Sequence, residues 1–307
     1  MAGRTARRRV LRISLPGDAT APVTAERADF LAAEEPLGIR IDGEALALTM
    51  RTPGDDIDLT AGFLVSEGVI TSPEDITGIV ICSGERCGHA DHGHADHGGA
   101  AGTGNIADVT LRPGLTLRPE LRRNFMTTSA CGVCGKTSIA ELAATTDLDL
   151  SADQARVTPA TLAGLPDALR AAQRVFDRTG GLHAAGLFTA DGDLLAVRED
   201  VGRHNAVDKI VGWALRTGRL PLSGCVLLVS GRASFELVQK AVLAGIPVLA
   251  AVSAPSSLAA DLAQQAGLTL VGFLRGGSMN VYTGQQRVLA AAQPAGSRPG
   301  GSMPAAN

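Results

Sequence analysis

The stretch Cys225-Val-Leu-Leu-Val-Ser-Gly-Arg-Ala-Ser234 sets the class of this fold. Residues 225–229 are apolar without alternation, as a strand covered on both faces requires. The run is too short for a buried helix, and a polar, glycine-containing turn closes it. Helical spacing then covers 234–244, and the same alternation repeats as a strand over 247–252, a helix over 256–265 and a strand over 268–273. Strand–helix alternation predicts a parallel or mixed sheet covered by helices. Upstream, 183–188 and 194–197 flank the turn Ala190-Asp-Gly-Asp193 as a hairpin. Residues 203–215 read as a helix, 161–178 as one helix ending at Gly180-Gly181, and 147–159 as an acidic linker.

Nearer the N-terminus, Leu37-Gly-Ile-Arg-Ile41 and Glu44-Ala-Leu-Ala-Leu-Thr-Met50 flank Asp42-Gly43, among the strongest hairpin signals. The turn Thr52-Pro-Gly-Asp-Asp56 leads into a helix over 58–68, and 78–82 and 106–111 read as strands. Between those strands, 88–104 is a His/Gly-rich insertion. Its His89, His92, His94 and His97, near Cys82 and Cys87, could meet a divalent ion, but repetitive composition favours a disordered loop and no functional metal. The first 25 or so residues read as polar and loose. These readings give a smaller α/β domain over 1–120, a larger domain over 121–292 and a disordered tail over 293–307.

Composition excludes several classes. At 307 residues with 45% hydrophobic content, the chain can build a full core, and its net charge of −3 calls for neither nucleic acid nor an anionic membrane. Only Lys136, Lys209 and Lys240 among 28 basic residues are lysine, so a local run of arginines carries little information. Five scattered cysteines do not make a secreted disulfide framework. The basic N-terminus lacks an apolar stretch behind it, and no run of about 18 apolar residues occurs. The expected compartment is the cytoplasm, where reduced thiols are more often catalytic or metal-binding.

In such a sheet, ligands sit beyond the carboxyl ends of strands. Three loops are placed there: Ser230-Gly-Arg-Ala-Ser234 with Arg232, Ser253-Ala-Pro-Ser-Ser257 with serines that serve equally as helix caps, and Phe273-Leu-Arg-Gly-Gly-Ser278 with Arg275 as a phosphate fork. Together they point to an anionic, phosphate-bearing ligand. Asp200-Val-Gly-Arg-His-Asn205 opens a helix; Asp200 reads as a helix cap, Arg203, His204 and Asn205 as site residues, and His204 and His183 as either structural or catalytic.

The chemistry concentrates in Thr127-Thr-Ser-Ala-Cys-Gly-Val-Cys-Gly-Lys136. Two cysteines separated by two residues, set between glycines and followed by a lysine and a helical run, favour a stabilised and presented thiolate. Redox exchange, half a zinc site, sulfur carriage as a persulfide and plain core filling all use such a pair.

Several motifs in order resemble the FdhD family of formate dehydrogenase accessory sulfurtransferases. They are Glu35-Pro-Leu, Met50-Arg-Thr-Pro-Gly-Asp-Asp56, Gly62-Phe-Leu, Cys131-Gly-Val-Cys-Gly-Lys136, Gly181-Leu-His-Ala-Ala185, Glu199-Asp-Val-Gly-Arg-His-Asn-Ala-Val-Asp-Lys209, Ser230-Gly-Arg232 and the segment 273–283. The resemblance implies a C-terminal cytidine deaminase-like three-layer α/β domain, a smaller α/β N-terminal domain and a homodimer. It implies sulfur taken from an IscS-type cysteine desulfurase as a persulfide and passed to molybdenum bis(guanine dinucleotide) cofactor destined for formate dehydrogenase. Cys131 corresponds to the persulfide carrier and Cys134 to its partner; Phe273, Leu274, Arg275, Gly276, Gly277 and Ser278 correspond to the cofactor-binding stretch. A nucleotide deaminase fits poorly, because Ala185 stands where the catalytic glutamate of its H-x-E motif belongs and the CxxC precedes His183. A thioredoxin-like oxidoreductase leaves the phosphate loops unexplained. A non-catalytic cofactor chaperone is the alternative that keeps them.

Overall fold

The structure, a computed structural model, describes residues 3–15, 22–82, 104–115 and 149–288. Cys131, Cys134, the boundary near 120, nearly all of the His-rich insertion and the tail lie outside the described residues.

A six-stranded mixed sheet organises the C-terminal half. Its strands are β7 (His183–Thr189), β8 (Leu194–Asp200), β9 (Cys225–Val229), β10 (Val248–Ala251), β11 (Thr269–Arg275) and β12 (Ser278–Thr283), in the spatial order β12-β11-β10-β9-β7-β8. β9, β10 and β11 are parallel, while β7, β8 and β12 pair antiparallel to their neighbours. Every residue from Val226 to Val229 is buried, so the unbroken apolar run has a covered surface on each side. On one face Leu227, Val229, Leu249 and Leu270 meet helices α4 (Arg203–Arg216), α5 (Phe235–Leu243) and α6 (Ser257–Gln265). On the other, Val226, Leu228, Val248 and Val271 meet Leu162, Leu165 and Leu169 of α2 (Pro159–Ala172). The result is three layers.

The N-terminal part adds a four-stranded sheet in the order β4-β3-β6-β5, built from β3 (Glu35–Ile41), β4 (Glu44–Arg51), β5 (Ile76–Cys82) and β6 (Ile106–Leu111), with α1 (Asp56–Ser66) against it. Asp42 and Gly43 both take positive φ, as a two-residue hairpin turn needs. α1 and α4 cross almost backbone to backbone. A Cβ on Gly62 would fall 1.8 Å from the Asp208 carbonyl oxygen, and one on Gly212 would fall 1.8 Å from that of Asp58. One hydrophobic cluster therefore runs from Ile39 and Val109 through α1 and α4 to Leu270.

Four expectations are corrected. The polar N-terminus is a ribbon of β1 (Thr5–Ser14) and β2 (Val23–Ala32), paired antiparallel without a break from Thr5 opposite Ala32 to Ser14 opposite Val23. The helix expected over 161–178 breaks at Gln173 into α2 and α3 (Arg174–Thr179), because the Glu199 carboxylate accepts the Val175 and Phe176 N–H groups at 2.9 and 2.8 Å. The segment read as a linker is tied down. Arg287 is buried and donates to the Asp153 and Gly267 carbonyls at 3.3 and 2.8 Å, and to that of Leu150. Finally, β11 continues to Arg275 and turns into β12, so the segment 273–278 is a hairpin tip and not a strand-to-helix loop.

Candidate functional site

A buried polar knot supports one edge of the large sheet. The Lys209 ammonium lies 2.7 Å from the Asp200 carboxylate, and both side chains are almost wholly buried. Lys209 also donates to the Thr52 carbonyl at 2.9 Å, while the Thr52 N–H donates to Asp200 at 3.1 Å. The remaining Asp200 oxygen accepts from the Gly202 N–H and the Asn205 amide, at 2.8 and 3.0 Å. Asn205 donates to the Met50 carbonyl at 2.8 Å and accepts from Thr49 at 3.2 Å. A buried ion pair costs desolvation unless its remaining donors and acceptors are met, and here they are. Asp200, expected as the helix cap, does not take the N-cap position, which is Gly202; it is the anchor joining the turn after β4 to the start of α4. Asn205 shares that task.

A second set of polar groups lies where β7 begins and β9 ends. β7 runs antiparallel to β9, so the start of β7 and the end of β9 share one edge. Ser230 closes that junction: its N–H donates to the Ala184 carbonyl and its hydroxyl accepts from the Ala184 N–H, both at 2.9 Å. His183 lies against Gly231, where a Cβ would stand 3.4 Å from its Nδ1. His204 Nε2 is 3.3 Å from the Ser234 hydroxyl and 3.7 Å from a Glu236 carboxylate oxygen. Burial, Lys240, Arg203 and His183 push the His204 imidazole down to about 3, which leaves it neutral and a poor base at neutral pH. His183 is lowered too, by burial and then by Arg203, with Asp200 opposing. Lys240 itself is held by Asp208, at 2.7 and 2.9 Å.

The three loops expected to carry a ligand do converge. The Ser253 N–H donates to the Gly231 carbonyl at 3.3 Å, and the Phe273 N–H donates to the Ser253 carbonyl at 3.1 Å. Ser256 turns out to be a cap, accepting from the Ala259 N–H at 3.2 Å. Ser234 is not, for it gives α5 no capping bond and faces His204. Phe273 sits at φ 53°, a left-handed conformation that is strained for a bulky residue and recurs where function holds it. Gly276 and Gly277, at φ 58° and 76°, make the turn that only small residues accept readily. The Ser278 hydroxyl donates to the Arg275 carbonyl at 3.2 Å, and the exposed Arg275 guanidinium lies 5.7 Å from the Phe273 ring centroid. Leu274 is buried in the second face of the sheet, so its side chain anchors the tip and does not face a ligand.

Sequence reasoning missed the Asp208–Lys240 pair and Glu236. Residues 32 apart carry no local spacing signal, and only the packing of α5 on α4 brings them together. Among the described residues, no group of three or more His, Cys, Asp or Glu side chains could hold a metal ion, and no helix is long and apolar enough to cross a membrane.

The FdhD/NarQ family model matches residues 32–289, from β2 to the end of the described chain. The chain belongs to the FdhD/NarQ family. Among FdhD/NarQ relatives, the sulfur carrier protein FdhD of Streptomyces coelicolor is 58% identical over 287 residues, covering 92% of this chain and 95% of that protein. That of Nocardia farcinica is 56% identical over 289 residues, covering 94% and 96%. A crystal structure described as a formate dehydrogenase accessory protein from Desulfotalea psychrophila aligns with a TM-score of 0.68 at 24% identity, covering 94% of this chain and all of that one. At that identity the likeness speaks for the mixed α/β fold alone.

Proposed function

We propose that this FdhD/NarQ member is a sulfur carrier that accepts sulfur from an IscS-type cysteine desulfurase and passes it to molybdenum bis(guanine dinucleotide) cofactor on the way to formate dehydrogenase. The observation that carries the reading is the close kinship, over nearly the whole chain, with proteins named as sulfur carriers, together with the CxxC pair. The Cys131 thiolate attacks the terminal sulfur of the donor's persulfide. The donor's S–S bond breaks, the donor leaves as a thiolate and Cys131 carries the sulfane sulfur. Cys134 then attacks Cys131 Sγ. The carried sulfur leaves at the sulfide level for the cargo, and the two cysteines end as a disulfide that a cellular thiol reductant reopens. The cargo is a substrate and not a resident cofactor. Its phosphates suit the Arg275 fork at the hairpin tip, where two glycines permit close approach. The same reading places the chain in the cytoplasm and as a homodimer.

The chaperone reading is separated by one comparison. In cells lacking the native chain, Cys131→Ala is expected to lower formate dehydrogenase activity at least about a hundredfold, as loss of a covalent nucleophile does. A pure chaperone would tolerate Cys131→Ala and fail on Arg275→Ala.

A further inference from the structure

Among the described residues, most of the large apolar side chains left in solvent lie on two surfaces. Leu11, Ile13 and Leu15 stand with Val23 and Leu31 on the β1–β2 ribbon, and Leu48, Met50 and Val80 stand on the four-stranded sheet. On the sheet they share one face. Register sets Leu48 beside Gly38, Gly38 beside Ile106 and Ile106 beside Cys82, a row that crosses all four strands. Met50 and Val80 stand two residues along their strands from this row and so face the same way. The intervening Ile39, Val109 and Ile79 turn to the opposite side, where α1 packs. The ribbon is sided too: alternation puts Leu11, Ile13 and, just past the strand, Leu15 on one face. Its root is held to the body, with Arg4 2.6 Å from Asp55 and the Arg178 guanidinium of α3 4.6 Å from the Phe30 ring centroid. Farther out, every β2 residue from Val23 to Ala28 is exposed. A two-stranded ribbon is marginal in water unless something covers it.

The two surfaces carry opposite charge. β1 and β2 hold five arginines against Glu26 and Asp29, in a chain whose net charge is −3. Arg9 pairs with Glu26 and Arg27 with Asp29, whereas Arg7, Arg8 and Arg12 have no ion pair among the described residues. The sheet offers Asp108 on its open face, Asp42 at its hairpin turn and Glu34 just before β3, with Arg40 beside Asp108 as the opposing charge. We propose that the β1–β2 ribbon of each copy lies across the open face of a second copy's four-stranded sheet, in a reciprocal exchange of arms. The contact is self-complementary, so one two-fold arrangement covers both apolar surfaces and brings both sets of charge together. A ribbon of ten-residue strands is about 33 Å long and about 10 Å across, so two of them with the sheet they cover bury about 1,300 Å², within the range of stable interfaces. The ribbon precedes nearly all of the residues that the family model matches, 32–289. The proposal deepens the homodimer reading above and rests on it; what it adds is the pair of surfaces that meet.

The test combines sedimentation equilibrium of the full-length protein with cross-linking between copies. Ile13→Asp on the ribbon and Leu48→Asp on the sheet are each expected to raise the dimer dissociation constant at least about tenfold, because each puts a charge into the covered surface. Leu194→Asp, an exposed apolar position on β8 away from both surfaces, should leave it within about twofold. For the cross-link, a chain bearing Ile13→Cys is mixed with one bearing Leu48→Cys, treated with a short bismaleimide and digested for mass spectrometry. Neither chain carries both changes, so a link between those two positions joins separate copies, and it is the result expected. A wild type that sediments as a monomer removes the homodimer reading and the proposal with it. A dimer that Ile13→Asp and Leu48→Asp weaken no more than Leu194→Asp does, or one that gives no such link, overturns the exchange of arms and leaves the homodimer reading standing.

Discussion

Lys209 and Asp200 show how much the site depends on groups that never meet a ligand. Each is nearly inaccessible: Lys209 donates to Asp200 and to the Thr52 and Glu199 carbonyls, and Asp200 also accepts from Thr52, Gly202 and Asn205. Lys209→Met leaves the Asp200 carboxylate buried without its cation, an effect of about 3–5 kcal/mol on stability. Urea unfolding would read it, and Asp200→Asn in the Lys209→Met background should recover part of the loss. His204 carries a second prediction. Its imidazole should not titrate between pH 5 and 8 by NMR, whereas a midpoint near the ordinary 6.5 would refute the arrangement drawn for it. The linkage follows directly. The unfolded chain binds a proton near 6.5 and the native ring only near 3, so stability falls as pH drops through that window and is flat above it with respect to this group. The slope is at most about 1.4 kcal/mol per pH unit.

Among the elements, legibility followed the range of the interactions that define them. The Asp42-Gly43 hairpin and the strand–helix alternation from Cys225 to Arg275 were readable, because turn chemistry and unbroken apolar runs are local and are satisfied locally. The break at Gln173 was not. It depends on Glu199, 23 and 24 residues beyond the N–H groups it accepts. The β1–β2 ribbon was hidden by its five arginines, since a two-stranded element with little burial needs no continuous apolar face. β12 was missed because Gly276-Gly277 read as a ligand loop, although two glycines at positive φ also serve a two-residue hairpin. The α1–α4 crossing yields its own prediction. Ala at Gly62 or Gly212 puts a methyl group into the carbonyl of the facing helix. Either substitution should destabilise by about 3 kcal/mol or more, seen as a large drop in melting temperature; a shift within about 2 °C would show that the helices can part.

For the molecule as a whole, the sequence exposed the ligand-bearing edge but not its division of labour. Three strand-end loops were placed there from topology, and they do hydrogen-bond to one another through Gly231, Ser253 and Phe273. What spacing could not reveal is that Asp200 and Asn205 are buried braces of the edge while His204 stays partly exposed beside Ser234, because that distinction depends on which side chains burial brings together. The central claim, sulfur carriage by Cys131 and Cys134, is tested most directly by intact-protein mass spectrometry under non-reducing conditions after incubation with an active cysteine desulfurase and cysteine. The wild type should gain the mass of one or more sulfur atoms, lose it on treatment with reductant, and show no such gain as Cys131→Ala. A wild type that gains nothing while the desulfurase turns over would contradict the account and leave the chain a cofactor escort.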